Sequence, residues 1–127
     1  ARLTLQAPPA GITVRADKLL LKRVLANLVE NGIHAGQEAK HPGDVVVTWQ
    51  RSGDGGAVIW VDDQGKGVAA NQRERIFEPY VTSKATGTGL GLAISKKIAL
   101  EHGGDLQIDE AAAPTGGARF VVTLPAA

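Results

Sequence analysis

The chain has 127 residues, 43% hydrophobic and 21% charged, the proportions of one globular domain that buries a core without cross-links. Lys and Arg number 14 against 13 Asp and Glu, and a net charge of +1 argues against a nucleic-acid surface; without cysteine there is no disulfide framework, thiol nucleophile or zinc ribbon. His34, His41 and His102 are too scattered for a metal cage, and no apolar run approaches the roughly 20 residues of a membrane span.

In chain order, "RLTLQA" alternates polar and apolar residues and predicts a short strand closed by "PPAG". Asp17 is placed to cap a long helix through "KLLLKRVLANLVENGIHAGQEA". "DVVVTWQ" and "AVIWVDD" predict a hairpin around "SGDGG", after which "QGKGV" breaks the pattern. "NQRERIFEP" predicts a short helix ended by Pro79, and "YVTSKATGTG" a mobile loop. "LGLAISKKIALEH" predicts a second long helix stopped by Gly103 and Gly104. "DLQIDE" and "ARFVVTLP" predict a closing hairpin. Hairpins outnumber crossovers, which favours a two-layer α/β sandwich: a mixed, mostly antiparallel sheet of about five strands under about three helices. No repeat or linker divides residues 1–127, and a start without Met or a leader pattern predicts a piece of a longer protein.

Three stretches carry chemistry. At about 100° per residue, Leu20, Leu21, Val24, Leu25, Leu28, Val29 and Ile33 form one apolar arc of the first helix, with Asn27, Asn31 and His34 along its edge. A half-buried amide is costly unless bonded. An isolated Asn is ordinarily tied to nearby backbone, but two beside a His favour a polar ligand, and an amide oxygen there suits Mg²⁺ that keeps waters and phosphate oxygens as its other ligands. In "VDDQGKGV" a strand delivers Asp63 to its end, and Gly65 and Gly67 let backbone pass close by. An Asp-Gly turn is the plainer explanation; the functional one is a carboxylate accepting from the exocyclic amine of adenine, where guanine would present an oxygen. In "TSKATGTGLGLAISKK" Gly87, Gly89 and Gly91 precede a helix, beside Lys84 and Thr88. Unpaired N–H groups and the helix dipole suit a phosphate there. The pattern G-x-x-x-x-G-K-[ST] is absent, and the G-x-G-x-G spacing follows no strand, so a dinucleotide fold with Asp109 on a ribose is a weak rival.

With these stretches in order, the chain resembles the catalytic and ATP-binding domain of bacterial sensor histidine kinases, within the superfamily of gyrase, chaperone, kinase and MutL ATPases. "LANLVENGIHA" resembles its asparagine box, "DDQGKGV" its first glycine box, "RIFEPYVTSK" its phenylalanine box and "GTGLGLAISKKI" its second glycine box. "EHGGDLQIDE" and "GGARFVVTLP" resemble its closing strands. The resemblance implies the Bergerat-type ATP-binding fold and ATP or ADP with Mg²⁺ as ligands. Asn31 would hold the metal, with Asn27 and His34 near the phosphates and Ala35 beside them. Asp63 would take adenine in a pocket shaped by Gly65, Gly67 and Val68. The loop from Thr82 to Gly87, with Lys84 and Thr86, would form the ATP lid; Gly87, Gly89 and Gly91 would supply backbone donors to the phosphates, with Thr88, Leu90 and Leu92 also at the nucleotide; Thr123 would line the adenine end, and Phe77 would anchor the lid. Gly32 departs from the family's usual Ala, at a cost to the helix of up to about 1 kcal/mol; Lys66 stands where Pro is common, and Tyr80 and Val81 where two aromatics are.

The resemblance also implies partners: a helical dimerisation domain carrying the phosphoacceptor histidine, a response-regulator receiver domain, and a homodimeric parent. The fragment is expected to be cytoplasmic, with neither nucleic-acid nor membrane contact, whether or not the parent is membrane-anchored. Asn27 is the discriminating residue, because the superfamily's hydrolytic members usually place a Glu there and an amide accepts no proton at neutral pH. The fragment is therefore expected to bind ATP without phosphorylating itself. An ATP-driven conformational clamp and a nucleotide-free docking module are the alternatives.

Overall fold

The computed structural model describes residues 1–6, 16–79 and 91–126. Strands β1 (Leu3–Gln6), β2 (Val45–Arg51), β3 (Ala57–Asp62), β4 (Asp105–Ile108) and β5 (Arg119–Leu124) form one sheet in the order β1-β2-β3-β5-β4. β1 runs parallel to β2 and the other neighbours are antiparallel. Helices α1 (Lys18–Glu38) and α2 (Gly91–Glu101) pack side by side across one face. The short helix expected after β3 divides into two single 3₁₀ turns, Ala70–Gln72 and Arg75–Phe77, which complete the helical layer.

The register explains the core. Val47, Val61, Phe120 and Ile108 make one cross-strand row, and Trp49, Ile59, Val122 and Leu106 the next. These rows face Val24 and Leu28 of α1 and Ile98 and Ala99 of α2. Side chains alternate across a strand, so the residues between these in β2, β3 and β5 point to the other face. There Asp62, only 2% exposed, takes a bidentate ion pair from its cross-strand neighbour Arg119 at 2.7 and 2.8 Å. The guanidinium also covers the Trp60 ring at 5.5 Å.

The helix ends are built as the residue types require. Asp17 Oδ1 accepts the N–H groups of Leu19 and Leu20, both at 3.0 Å, and caps α1. The N–H of Asp17 donates to His102 Nε2 at 3.0 Å, leaving Nδ1 to donate to the Ile98 carbonyl at 2.8 Å; the imidazole thus ties the end of α2 to the start of α1. Beyond α2, Gly103 adopts φ +79°, and Gly104 N–H reaches the Ala99 carbonyl at 3.0 Å, the glycine stop expected from sequence.

Candidate functional site

The buried positions of α1 are Val24, Leu28, Gly32 and Gly36, one row at a spacing of four. The row changes from large to small along the helix, so its C-terminal half settles onto the end of β3. A Cβ on Gly32 would stand 3.0 Å from Val45 Cγ2 and 3.2 Å from Asp63 Cβ, and one on Gly36 would stand 2.8 Å from Gly43 Cα. Gly32 therefore seats α1 closely against Val45 and the segment carrying Asp63, where a Cβ would require its neighbours to give by a few tenths of an ångström. Hydrophobic spacing alone did not reveal this seam; the i, i+4 glycine pair was the available signal.

Beside the seam lies an open pocket of about 540 Å³. Asn31 and Ala35 of α1, Asp63, Gly65, Gly67 and Val68 from the turn after β3, and Leu92 of α2 all line it. Seven residues singled out from three separate stretches thus meet around one cavity. Glu38, Ala39, Lys66, Ala69 and Gln72, together with Ile76, Ala118 and Phe120, complete the wall.

Asp63 is 2% exposed and held on every side. Its Oδ1 accepts the N–H groups of Gly65 and Ala118, each at 2.9 Å. Its own N–H donates to the Ala118 carbonyl at 3.1 Å, while its carbonyl accepts Gly117 N–H at 3.1 Å and the Thr115 hydroxyl. A Cβ on Gly117 would fall 2.2 Å from Oδ1, so the turn before β5 can wrap this carboxylate only with glycine there. Thr115, Gly117 and Ala118 are positioning residues that sequence analysis missed; the "TGG" before β5 was the only local trace. Among the described residues, the hydrogen bonds to the Asp63 side chain all end on Oδ1, which leaves Oδ2 as its free acceptor. Burial pushes this carboxyl above its ordinary value, against the two N–H donors that pull it down, and the neighbouring Asp62 carboxylate adds to the rise.

Other expected residues lie outside the cavity wall. Asn27 donates from Nδ2 to Ser95 Oγ at 3.2 Å across the α1–α2 seam, with Gly91 beside it. His34 sits 44% exposed, 3.9 Å from Glu30 one turn back. Thr123 is a correction: strand alternation turns it to the exposed face of β5, away from Phe120, and its Oγ1 accepts the Asp105 N–H at 3.1 Å. Lys84, Thr86, Gly87, Thr88, Gly89 and Leu90 lie outside the described residues. Phe77 packs edge-on against Phe120 at 6.3 Å, beneath Lys96 Nζ at 5.2 Å from its ring, which suits an anchor. Asp109, the candidate ribose ligand, instead accepts Ala111 N–H at 3.0 Å within the β4–β5 turn. No described group of three His, Asp or Glu side chains could hold a metal. A divalent ion here would depend on a single amide oxygen and on ligand oxygens, the way Mg²⁺ binds with phosphates.

An α/β sandwich with a carboxylate buried at the mouth of a nucleotide-sized cavity defines a class of ATP-binding domain, and comparison with known proteins agrees. The profile of the histidine kinase-, DNA gyrase B- and HSP90-like ATPases matches residues 16–127, and the chain belongs to that family. Sequence relatives include the sensor histidine kinase ZraS of Klebsiella oxytoca, 45% identical over 97% of this chain and 26% of its own length. Another is the C4-dicarboxylate transport sensor protein DctB of Rhizobium meliloti, 36% identical over 96% of this chain and 19% of its own. The chain thus spans about a quarter or less of these relatives. Among solved structures, the mycobacterial sensor histidine kinase MprB superposes with a TM-score of 0.82 at 31% identity, covering 98% of this chain and 80% of that one. The ATP-binding domain of PrrB from Mycobacterium tuberculosis gives 0.75 at 27%, covering 98% and 81%. Within the family, this chain is a domain of the sensor histidine kinase type.

Proposed function

We propose that the pocket holds ATP with Mg²⁺ and positions its terminal phosphoryl group for transfer to a histidine on a separate helical domain of the same protein, and from there to an aspartate of a response regulator. The observation that carries this is the Asp63 cradle. A chain that wraps two glycine-dependent turns around one buried carboxylate, against its desolvation cost, preserves a single acceptor facing the cavity. In this role Oδ2 accepts the adenine amine, and Gly65, Gly67 and Val68 border the base. Asn31, on the α1 side, offers its amide oxygen to Mg²⁺, whose chemistry when bound is to neutralise charge on the phosphates. Asn27 and Gly91 lie toward the phosphate end, with His34 outside it. The sequence expectation that Thr82 to Gly87 form a lid, with Lys84 near the terminal phosphates, belongs to the same proposal.

Asn27 also bears on the chemistry. A carboxamide takes no proton at neutral pH, so this site binds and orients while leaving activation of the nucleophile to another domain. That disfavours a hydrolytic clamp. No helix of the described residues is long and apolar enough to cross a membrane. Calorimetry with ATP, GTP and NAD, with and without Mg²⁺, tests the proposal. ATP is expected to bind and GTP not. Asp63→Asn presents an N–H to the base's own N–H and should weaken binding about ten- to a hundredfold. Asn31→Ala should remove the Mg²⁺ dependence. Equal binding of ATP and GTP would exclude the Asp63 assignment, and persistent Mg²⁺ dependence would exclude Asn31 as its ligand.

A further inference from the structure

Ser95 is 0% exposed in the middle of α2, a hydroxyl that neither the core nor the pocket wall requires. A serine inside a helix commonly satisfies itself on the carbonyl one turn back. Here its Oγ receives the Nδ2 N–H of Asn27 at 3.2 Å, from the facing helix. With its NH₂ held by this buried partner, the Asn27 amide turns its carbonyl oxygen away from Ser95. Gly91, first residue of α2, lies beside this amide: a Cβ there would stand 3.9 Å from Asn27 Cγ, an ordinary contact.

We infer that Ser95 is a positioning residue of the nucleotide site: its buried hydroxyl holds the Asn27 carboxamide with Oδ1, an acceptor, turned toward the phosphate end. An acceptor does not bond a phosphate oxygen, which is itself an acceptor; it bonds the hydrogens of a water. With Asn31 as the amide ligand of the cation, Asn27 acts on a water in the cation's shell, and Ser95 acts through Asn27. The inference rests on Mg²⁺–ATP being the ligand of this pocket.

The test measures dissociation constants for ATP with Mg²⁺, ATP without it, and adenosine, in the wild-type domain and in Ser95→Ala, Ser95→Thr, Asn27→Ala and the Ser95→Ala/Asn27→Ala pair. Ser95→Ala should weaken Mg²⁺–ATP three- to tenfold, the net worth of one hydrogen bond, and leave adenosine unchanged. Ser95→Thr, which keeps the Oγ, should bind Mg²⁺–ATP within about twofold of wild type. In the Asn27→Ala background the Ser95 effect should vanish. Unchanged Mg²⁺–ATP affinity in Ser95→Ala, an equal loss for adenosine, or a Ser95 effect that persists without Asn27 would each overturn the positioning role. A wild-type domain that ignores Mg²⁺–ATP would instead sink the nucleotide assignment and this inference with it, a result distinct from the other three.

Discussion

Asp63 shows how a single residue can be costly to the fold and necessary to the site. A folded-state pKa raised above the ordinary 3.8 means the native protein binds more protons than the unfolded chain between those two values. Stability from this group is therefore lost as pH rises through that interval, the opposite of a salt-bridged carboxylate. Asp63→Asn keeps an Oδ1 to accept the N–H groups of Gly65 and Ala118 while removing the buried charge. Its stability relative to wild type should climb as pH rises from below 3.8, then level off above the folded value, as thermal melts across pH would record. A constant difference at every pH would show that the charge is not what the fold tolerates there. Asp62, the adjacent acid, differs because Arg119 neutralises it. Arg119→Ala strands a carboxylate that is 2% exposed, and should cost about 3 kcal/mol in urea unfolding.

At the scale of elements, α1 and α2 end in the same motif with different residues. After α1, Lys40 takes φ +67°, and His41 N–H reaches the Gly36 carbonyl at 3.0 Å, as Gly104 does to Ala99 after α2. Lysine carries a Cβ penalty in that conformation that glycine avoids. Lys40→Gly should therefore stabilise the domain by roughly 1 kcal/mol, read as a higher urea midpoint at unchanged slope. A lower midpoint would mean that the entropy of glycine in the unfolded chain outweighs the relieved strain. α2 is bound to the sheet by Lys96, which donates to Asp105 at 2.7 Å and to the Leu106 carbonyl at 2.8 Å. Burial raises the Asp105 carboxyl, but Lys96 and the Leu106 N–H outweigh it and hold the group below its ordinary range. This tie fixes the helix whose first turn borders Asn27.

For the whole molecule, ligand and fold are coupled by mass action. At ATP a hundred times its dissociation constant, the domain should gain about 2.7 kcal/mol, a rise of about 10 °C in Tm. GTP should leave the melting curve in place. Prolonged incubation with Mg²⁺–ATP should yield little phosphate and no phosphohistidine on this chain, because Asn27 is a carboxamide that takes no proton and none of the described histidines lines the pocket wall. Rapid turnover would favour the clamp alternative.

The local order of this protein was legible in its sequence. Apolar spacing predicted both long helices, Asp17 and Gly103 marked their limits, and strand alternation with turn residues predicted two hairpins, because each of these depends on neighbours within a few residues. Asn31, Asp63, Gly65 and Gly67 were also identifiable as candidates from their own stretches, and Ala35, Val68 and Leu92 through the family resemblance. What the tertiary structure decided was their meeting and their support. Gly32 and Gly36 let α1 pack closely on Val45, Asp63 and Gly43; Thr115, Gly117 and Ala118 close over Asp63; and Ser95 holds Asn27. The contacts of Asp63 with Thr115 and Ala118 and of Asn27 with Ser95 join residues 52, 55 and 68 positions apart, and no periodicity records such a distance. They exist only once packing brings separate backbones within the reach of a hydrogen bond or the width of a missing side chain.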